Sequence, residues 1–207
     1  MPLWGTTTAA GDKPKFLPVD KNATGSTGSR EHAIAVAGGW GLAPGIAASG
    51  NDNKDAMPEV LVDFMRGADA AVGGSFVKYD HKERWNKINQ TKGFWVNLGW
   101  KPGGKRLHDF IIRYTPHILS AFSGRDPASR TGKMKWVQKN TGVKRGNIHL
   151  VKRVQKQAYA KTKEEKPNIL IDDYIKNIRE WENKGGIGIH HTDVAKTINE
   201  LKRLGFK

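Results

Sequence analysis

The stretch that decides the fold runs from Asn168 to Ile189 and reads NILIDDYIKNIREWENKGGIGI. It opens on a short apolar run that ends in paired acids, Asp172 and Asp173. Residues 174–183 then form an expected helix that carries Trp181 and stops at Gly185-Gly186. A second apolar run, Ile187–His190, follows. A strand, a helix and a second strand in this order build a βαβ unit with parallel strands. Ligands of open parallel sheets sit beyond the carboxyl ends of the strands, which is where the acid pair falls.

The same alternation extends outward. Glu59–Asp63 (EVLVD) reads as a buried first strand. A helix is expected over 103–114, with Leu107, Phe110, Ile111 and Tyr114 on one face and Pro116 as its stop. His117–Ser120 and Ile148–Val151 are further strands, separated by a basic helix over 130–140 with Met134 and Val137 inward. A last helix begins after Asp193 and buries Val194, Ile198 and Leu201. Short, almost continuously apolar strands alternating with helices predict an α/β fold, a doubly wound parallel sheet with helices on both faces. Residues 64–102 break the alternation, hold Trp85, Phe94, Trp95 and Trp100, and are expected to form a small helical cap inserted after the first strand.

Residues 1–57 have different physics. Gly and Pro account for 13 of these 57 positions, against 20 of the remaining 150. Runs such as Asn22–Ser29 carry almost no large apolar groups and cannot offset their ordering entropy by burial. The expectation is an extended arm at 1–57 and a folded domain at 58–207. Charge divides the same way. The arm has five basic and five acidic side chains, so the whole net charge of +15 falls in 58–207. Such a field favours phosphate-bearing partners, an acidic protein lattice or, as a weaker alternative, nucleic acid. With no cysteine in the chain, disulfides and thiolate chemistry are excluded. No run approaches the roughly 18 apolar residues of a membrane span, so no membrane partner is expected.

The strand ends place an acid (Asp63), a hydroxyl (Ser120), a basic cluster (Lys152, Arg153, Lys156) and the acid pair around one crevice. Carboxylates on two strand ends suit a magnesium ion, while a hydroxyl and an ammonium suit phosphate oxygens. A carboxylate can also attack phosphorus to form an acyl phosphate. The expected chemistry is phosphoryl transfer.

The 168–189 string resembles the last motif of haloacid-dehalogenase-superfamily (HAD) phosphatases, in the 5′(3′)-deoxyribonucleotidase-like branch. His117–Ser120 is similar to the second motif of that family. The resemblance implies Ser120 as phosphate-binding hydroxyl, Lys156 as the third-motif lysine with Lys152 as its competitor, and Asp172 and Asp173 as magnesium-side acids. It also implies a HAD-like, Rossmannoid sheet, a Mg2+ cofactor and a nucleoside monophosphate as ligand. Asp63 matches the catalytic nucleophile and would share the metal. The general acid expected two residues later is replaced by Met65, and Arg66 stands where the family has glycine. A thioether moves no proton, so hydrolysis would be slow or lost unless Asp69 substitutes, or else Asp63 is only a strand-end residue. General acid–base groups contribute about 10²–10⁴-fold in rate.

The arm resembles small structural proteins of marine T4-like phages in Met1–Gly5, Lys13–Leu17, Gly38–Trp40 and Gly50–Asn53. That implies phage particle proteins as partners through 1–57, and a location in the host cytoplasm or, for a virion decoration protein, on the particle. Three bland readings stand beside these: Asp172-Asp173 as a helix-capping pair, His190-His191 with Asp193 as an ordinary loop rather than a metal site, and the lysines from Lys133 to Arg153 as a solvated face. Base stacking by Trp85, Trp95 or Trp100 above the crevice is a further expectation.

Overall fold

Five strands pair side by side, all parallel, in a computed structural model that describes residues 34–36, 60–122 and 126–207. They are β1 (Ile34–Val36), β2 (His117–Ala121), β3 (Ile148–Val151), β4 (Ile169–Asp172) and β5 (Ile187–His190), in the spatial order β3-β2-β1-β4-β5. β1 lies at the centre, with Ala35 opposite His117 on one side and Leu170 on the other. The chain therefore builds outward from β1 in one direction through β2 and β3, and in the other through β4 and β5. The order reverses between β1 and β4, and such a switch point leaves a crevice at the carboxyl ends of the strands.

Both faces of the sheet are covered, because successive side chains along a strand alternate between them. Ile118, Ile148, Leu150, Ile169, Ile171 and Ile189 join a large core with α1 (Phe64–Val72), α3 (Gly104–Ile111), α4 (Pro127–Asn140) and α6 (Val194–Arg203). Leu119 and Leu170 point the other way, onto Ala160 and onto Ile178 and Trp181 of α5 (Ile175–Glu182). All four residues of β4 are buried, as a central strand of such a layered sheet requires. The indole of Trp181 donates to the Asn168 carbonyl at 3.0 Å. A Cβ at Gly186 would lie 2.1 Å from that indole nitrogen, so the tight link from α5 to β5 needs glycine there.

The expected first strand is corrected. Val62 forms an isolated antiparallel bridge to Trp100, and the chain turns at once into α1, with Asp63 as its N-cap. An apolar run followed by Asp is equally the signature of a helix start, and here the cap decides. The first strand is instead Ile34–Val36. The division at residue 57 is corrected with it: a domain of 58–207 lacks the central strand of its own sheet. The rest of the arm lies outside the described residues. Residues 64–102 do not stand apart as a cap either. Phe64, Phe76, Ile88, Phe94 and Trp95 belong to the same core as the sheet, and α2 (His81–Gln90) packs on α1. The basic helix starts earlier than expected, at Pro127 behind the Asp126 cap, and turns Trp136, Val137 and Lys133 inward.

Candidate functional site at the carboxyl edge of β4

β4 ends in Asp172, and Asp173 follows it directly at the switch point. Asp172 is completely buried, and three donors hold it. Lys156 Nζ donates to its Oδ2 at 2.9 Å, Asn177 Nδ2 donates to the same oxygen at 2.9 Å, and the Tyr174 backbone N–H donates to Oδ1 at 2.8 Å. The last contact caps the chain as it enters α5, whose own N-cap side chain makes no such bond. Asn177 sits in the first turn of α5 and so reaches back over the strand end. Lys156 comes from the 3-10 segment Arg153–Tyr159 and is only 3 % exposed. Lys152, the alternative lysine, is exposed and N-caps that segment.

Asp173 is the opposite case. It is 3 % exposed, yet among the described residues neither of its carboxyl oxygens has a hydrogen-bond partner. Burial first, and then the adjacent Asp172 charge, push its carboxyl up to about 8, with Lys156 opposing the rise. A proton on Asp173 can be shared with Asp172 and relieves the repulsion between them. Buried acids without donors are rare in folded proteins and mark places kept open for something else.

A second lysine, missed by the sequence reading as a site residue, is buried near Lys156. Lys133 on α4 has no solvent exposure and donates to the carbonyl of Ala121, at the end of β2, at 2.5 Å. Its ammonium also lies 4.9 Å from the centre of the Trp95 ring. Burial, then the charge of Lys156, hold Lys133 well below its ordinary value, and Asp126 partly offsets them. Asp126 in turn accepts from the Trp95 indole and from Ala128 N. Ser120 is buried one residue before the carbonyl that Lys133 binds, and its hydroxyl donates to that carbonyl at 3.4 Å. A lysine spaced with Trp136 on an otherwise polar helix gave no sequence signal that separated it from its exposed neighbours Lys135 and Lys139.

The structure does not bring Asp63 into this group by the route expected. Its carboxylate accepts from Arg66 N at 3.1 Å and caps α1, and Met65, the second residue of that helix, packs against the core. Asp69 accepts from Phe76 N at 2.7 Å. Neither acid ends a strand of the sheet. The residues that follow the true first strand are Ala37-Gly38-Gly39-Trp40, and the next carboxylate in the chain is Asp52. The base-stacking expectation also changes: Trp95 is 3 % exposed, and Trp85 and Trp100 pack on Phe64 and Trp136. Arg153 is held by Glu180 at 2.8 Å, which ties down one member of the basic run.

A cavity of about 590 Å³ opens beside Asp173, between the β5–α6 turn and the start of α3. His190 Nε2 contacts the Asp173 carbonyl at 3.1 Å, and His191 Nδ1 contacts Thr197 Oγ1 at 2.8 Å. Asp193 spends its carboxylate on Lys196 N as the cap of α6. Among the described residues no group of three or more His, Cys, Asp or Glu is arranged to hold a metal. No helix among them is long and apolar enough to cross a membrane.

Magnesium can be tested against this donor set. Asp172 has its oxygens committed to Lys156, Asn177 and Tyr174, while Asp173 has two buried oxygens with no donor. Magnesium commonly uses one or two carboxylates together with substrate phosphates and water. The residues thus fit an ion that arrives with a phosphate ligand, held by Asp173, and not a preformed all-protein cage. Comparison with known protein families and with curated proteins finds no match to this chain.

Proposed function

We propose that the chain is a HAD-like phosphate-ligand protein whose site is the carboxyl edge of β4. The ligand class is a nucleoside monophosphate taken up with magnesium. The observation that carries this reading is the contrast at one strand end: Asp172 locked by Lys156 and Asn177, and Asp173 buried without a donor at the switch point of a parallel sheet. Lys156 supplies positive charge at the edge, Lys133 a buried amine at the end of β2, and Ser120 a hydroxyl one residue before the carbonyl that Lys133 binds. Bound magnesium would neutralise phosphate charge, and Asp173 would hold it. Lys156 and Asn177 act as positioning residues that keep Asp172 in place.

Hydrolysis through an acyl phosphate is the weaker half of the reading. In the resembled family the nucleophile follows the first strand, and this chain has Ala37-Gly38-Gly39-Trp40 after the first strand of its sheet. Asp63 caps a helix outside the sheet. Binding without turnover is therefore the favoured form of the proposal. It keeps open the notion of a phage-particle component that retains the domain for recognition; the arm that would dock it lies outside the described residues apart from Ile34–Val36. The test is phosphate release from a panel of nucleoside monophosphates with magnesium, read beside calorimetric binding, for the wild type, Asp173→Asn and Asp63→Asn. Binding that needs Asp173 and is indifferent to Asp63 supports the reading. Turnover that depends on Asp63 overturns the assignment of that residue, and no binding in the wild type overturns the proposal.

A further inference from the structure

His191 stands next to Asp173, and the phosphate reading uses no atom of it. The two are neighbours by strand register. Asp172 of β4 pairs with His190 of β5, and the ladder runs one step further, because His191 N–H donates to the Asp172 carbonyl at 2.9 Å. That step sets His191 beside Asp173, on neighbouring chains about 4.8 Å apart. Both residues line the cavity of about 590 Å³.

Both side chains are buried, and each has an open ligating atom. Neither carboxyl oxygen of Asp173 has a hydrogen-bond partner among the described residues, and buried acids of this kind are paired or coordinate metals. The ring of His191 is held from behind. Its Nδ1 contacts Thr197 Oγ1 at 2.8 Å, and Thr197 is itself buried in α6. With Nδ1–H donating to that hydroxyl, Nε2 keeps its lone pair, and it has no hydrogen-bond partner among the described residues. Metal-ligating histidines have this arrangement, in which an oxygen on the second nitrogen fixes the tautomer and the ring angle. The other acid and histidine on the cavity wall are engaged: Asp193 accepts from Lys196 N, and His190 Nε2 contacts the Asp173 carbonyl. Lys101 and Arg106 also line the cavity and oppose a bare cation, so an ion enters together with the phosphate ligand, whose charge offsets theirs.

We infer that Asp173 and His191 form an oxygen–nitrogen ligand pair for the ion that accompanies the phosphate, and that this ion is a divalent transition metal in preference to magnesium. The inference rests on the phosphate reading of the β4 edge and adds His191 to it. Magnesium takes oxygen ligands, whereas an imidazole shifts a site towards the later first-row metals. Two protein ligands leave the remaining positions to phosphate oxygens and water, in keeping with the lack of a three-residue metal group among the described residues.

The experiment is calorimetric titration of Co2+ and of Mg2+ into the full chain with adenosine 5′-monophosphate present. The wild type should prefer Co2+. His191→Asn keeps a polar group on Thr197 and removes the open nitrogen, so it should narrow that preference by about tenfold or more while changing Mg2+ affinity much less. Proton NMR of the Co2+ complex gives a readout independent of affinity. Ligation through Nε2 shifts one histidine Nδ1–H resonance far outside its ordinary range, and the Thr197 contact slows its exchange with water. That resonance should vanish in His191→Asn. Should this variant fail to fold, the wild-type resonance and Thr197→Val decide, since Thr197→Val should keep the shifted signal and speed its exchange. Co2+ uptake with the nucleotide but no shifted N–H signal, or a signal or a Co2+ preference that survives undiminished in His191→Asn, overturns the ligand pair and leaves the phosphate reading standing. Uptake of neither ion with the nucleotide overturns both.

Discussion

Asp173→Asn should make the protein more stable, and increasingly so as the pH rises. In the unfolded chain the Asp173 carboxyl ionises near its ordinary value of about 4. In the folded chain burial and Asp172 hold the proton until about pH 8. Across that window the folded state binds more protons than the unfolded state, so this residue lowers stability as pH rises. Each pH unit is worth about 1.4 kcal/mol, giving on the order of 4 kcal/mol between about pH 5 and about pH 8. Asparagine has the same shape and does not titrate, and its amide can donate to Asp172. Other groups titrate over the same range. His117, His149 and Lys133 are held below their ordinary values and contribute stability that grows with pH. They act equally in both proteins and cancel in the difference. The assay is urea unfolding followed by tryptophan fluorescence at several pH values, without divalent cations. A variant-minus-wild-type difference that is flat from about pH 5 to about pH 8 would refute the reasoning. It would mean that Asp173 is ionised and partnered in the folded protein.

Three further outcomes are expected. Lys156→Met should cost about 3–5 kcal/mol by leaving the Asp172 carboxylate buried without its counterion, and Lys156→Met/Asp172→Leu should recover most of that loss in urea titrations. His117 and His149 stack with ring centres 5.2 Å apart and share a 2.9 Å contact between ring nitrogens. Burial depresses them to about 3 and about 4, so stability should fall as pH drops from about 6.5 towards those values. His149→Phe should flatten that acid limb, and an unchanged limb would contradict the assignment. Deleting residues 1–57 removes β1 from between β2 and β4, and circular dichroism with thermal melting should show loss of cooperative folding. A cooperative melt for 58–207 would mean that the sheet closes without its central strand.

Most of the sheet was legible because its strands are short, almost continuously apolar runs set between helices with clear stops. Ile148–Val151 and Ile187–His190 fall where the sequence puts them, and Asp193 caps α6 as the pattern implies. The central strand was not legible. Three residues, Ile34-Ala35-Val36, carry too little pattern to stand out from the Ala- and Gly-rich residues around them. Parallel pairing on both sides, which no local signal reports, makes them a strand. The run at 59–63 had the stronger apolar signal and the wrong outcome, because a helix cap and a strand end both favour Asp. In the site, the acid pair could be read from its place at a strand end, while Lys156 was singled out only through the family resemblance, with Lys152 as its competitor. Lys133 could not be read, since only the packing of α4 on Trp95 turns one lysine of a basic helix inward.

The most direct measurement replaces magnesium with manganese and follows free Mn2+ by electron paramagnetic resonance during titration with a nucleoside monophosphate. The account predicts that manganese is taken up by the wild type only when the nucleotide is present, and that Asp173→Asn takes up none. Uptake that is unaffected by Asp173→Asn, or no uptake by the wild type with nucleotide, would contradict it.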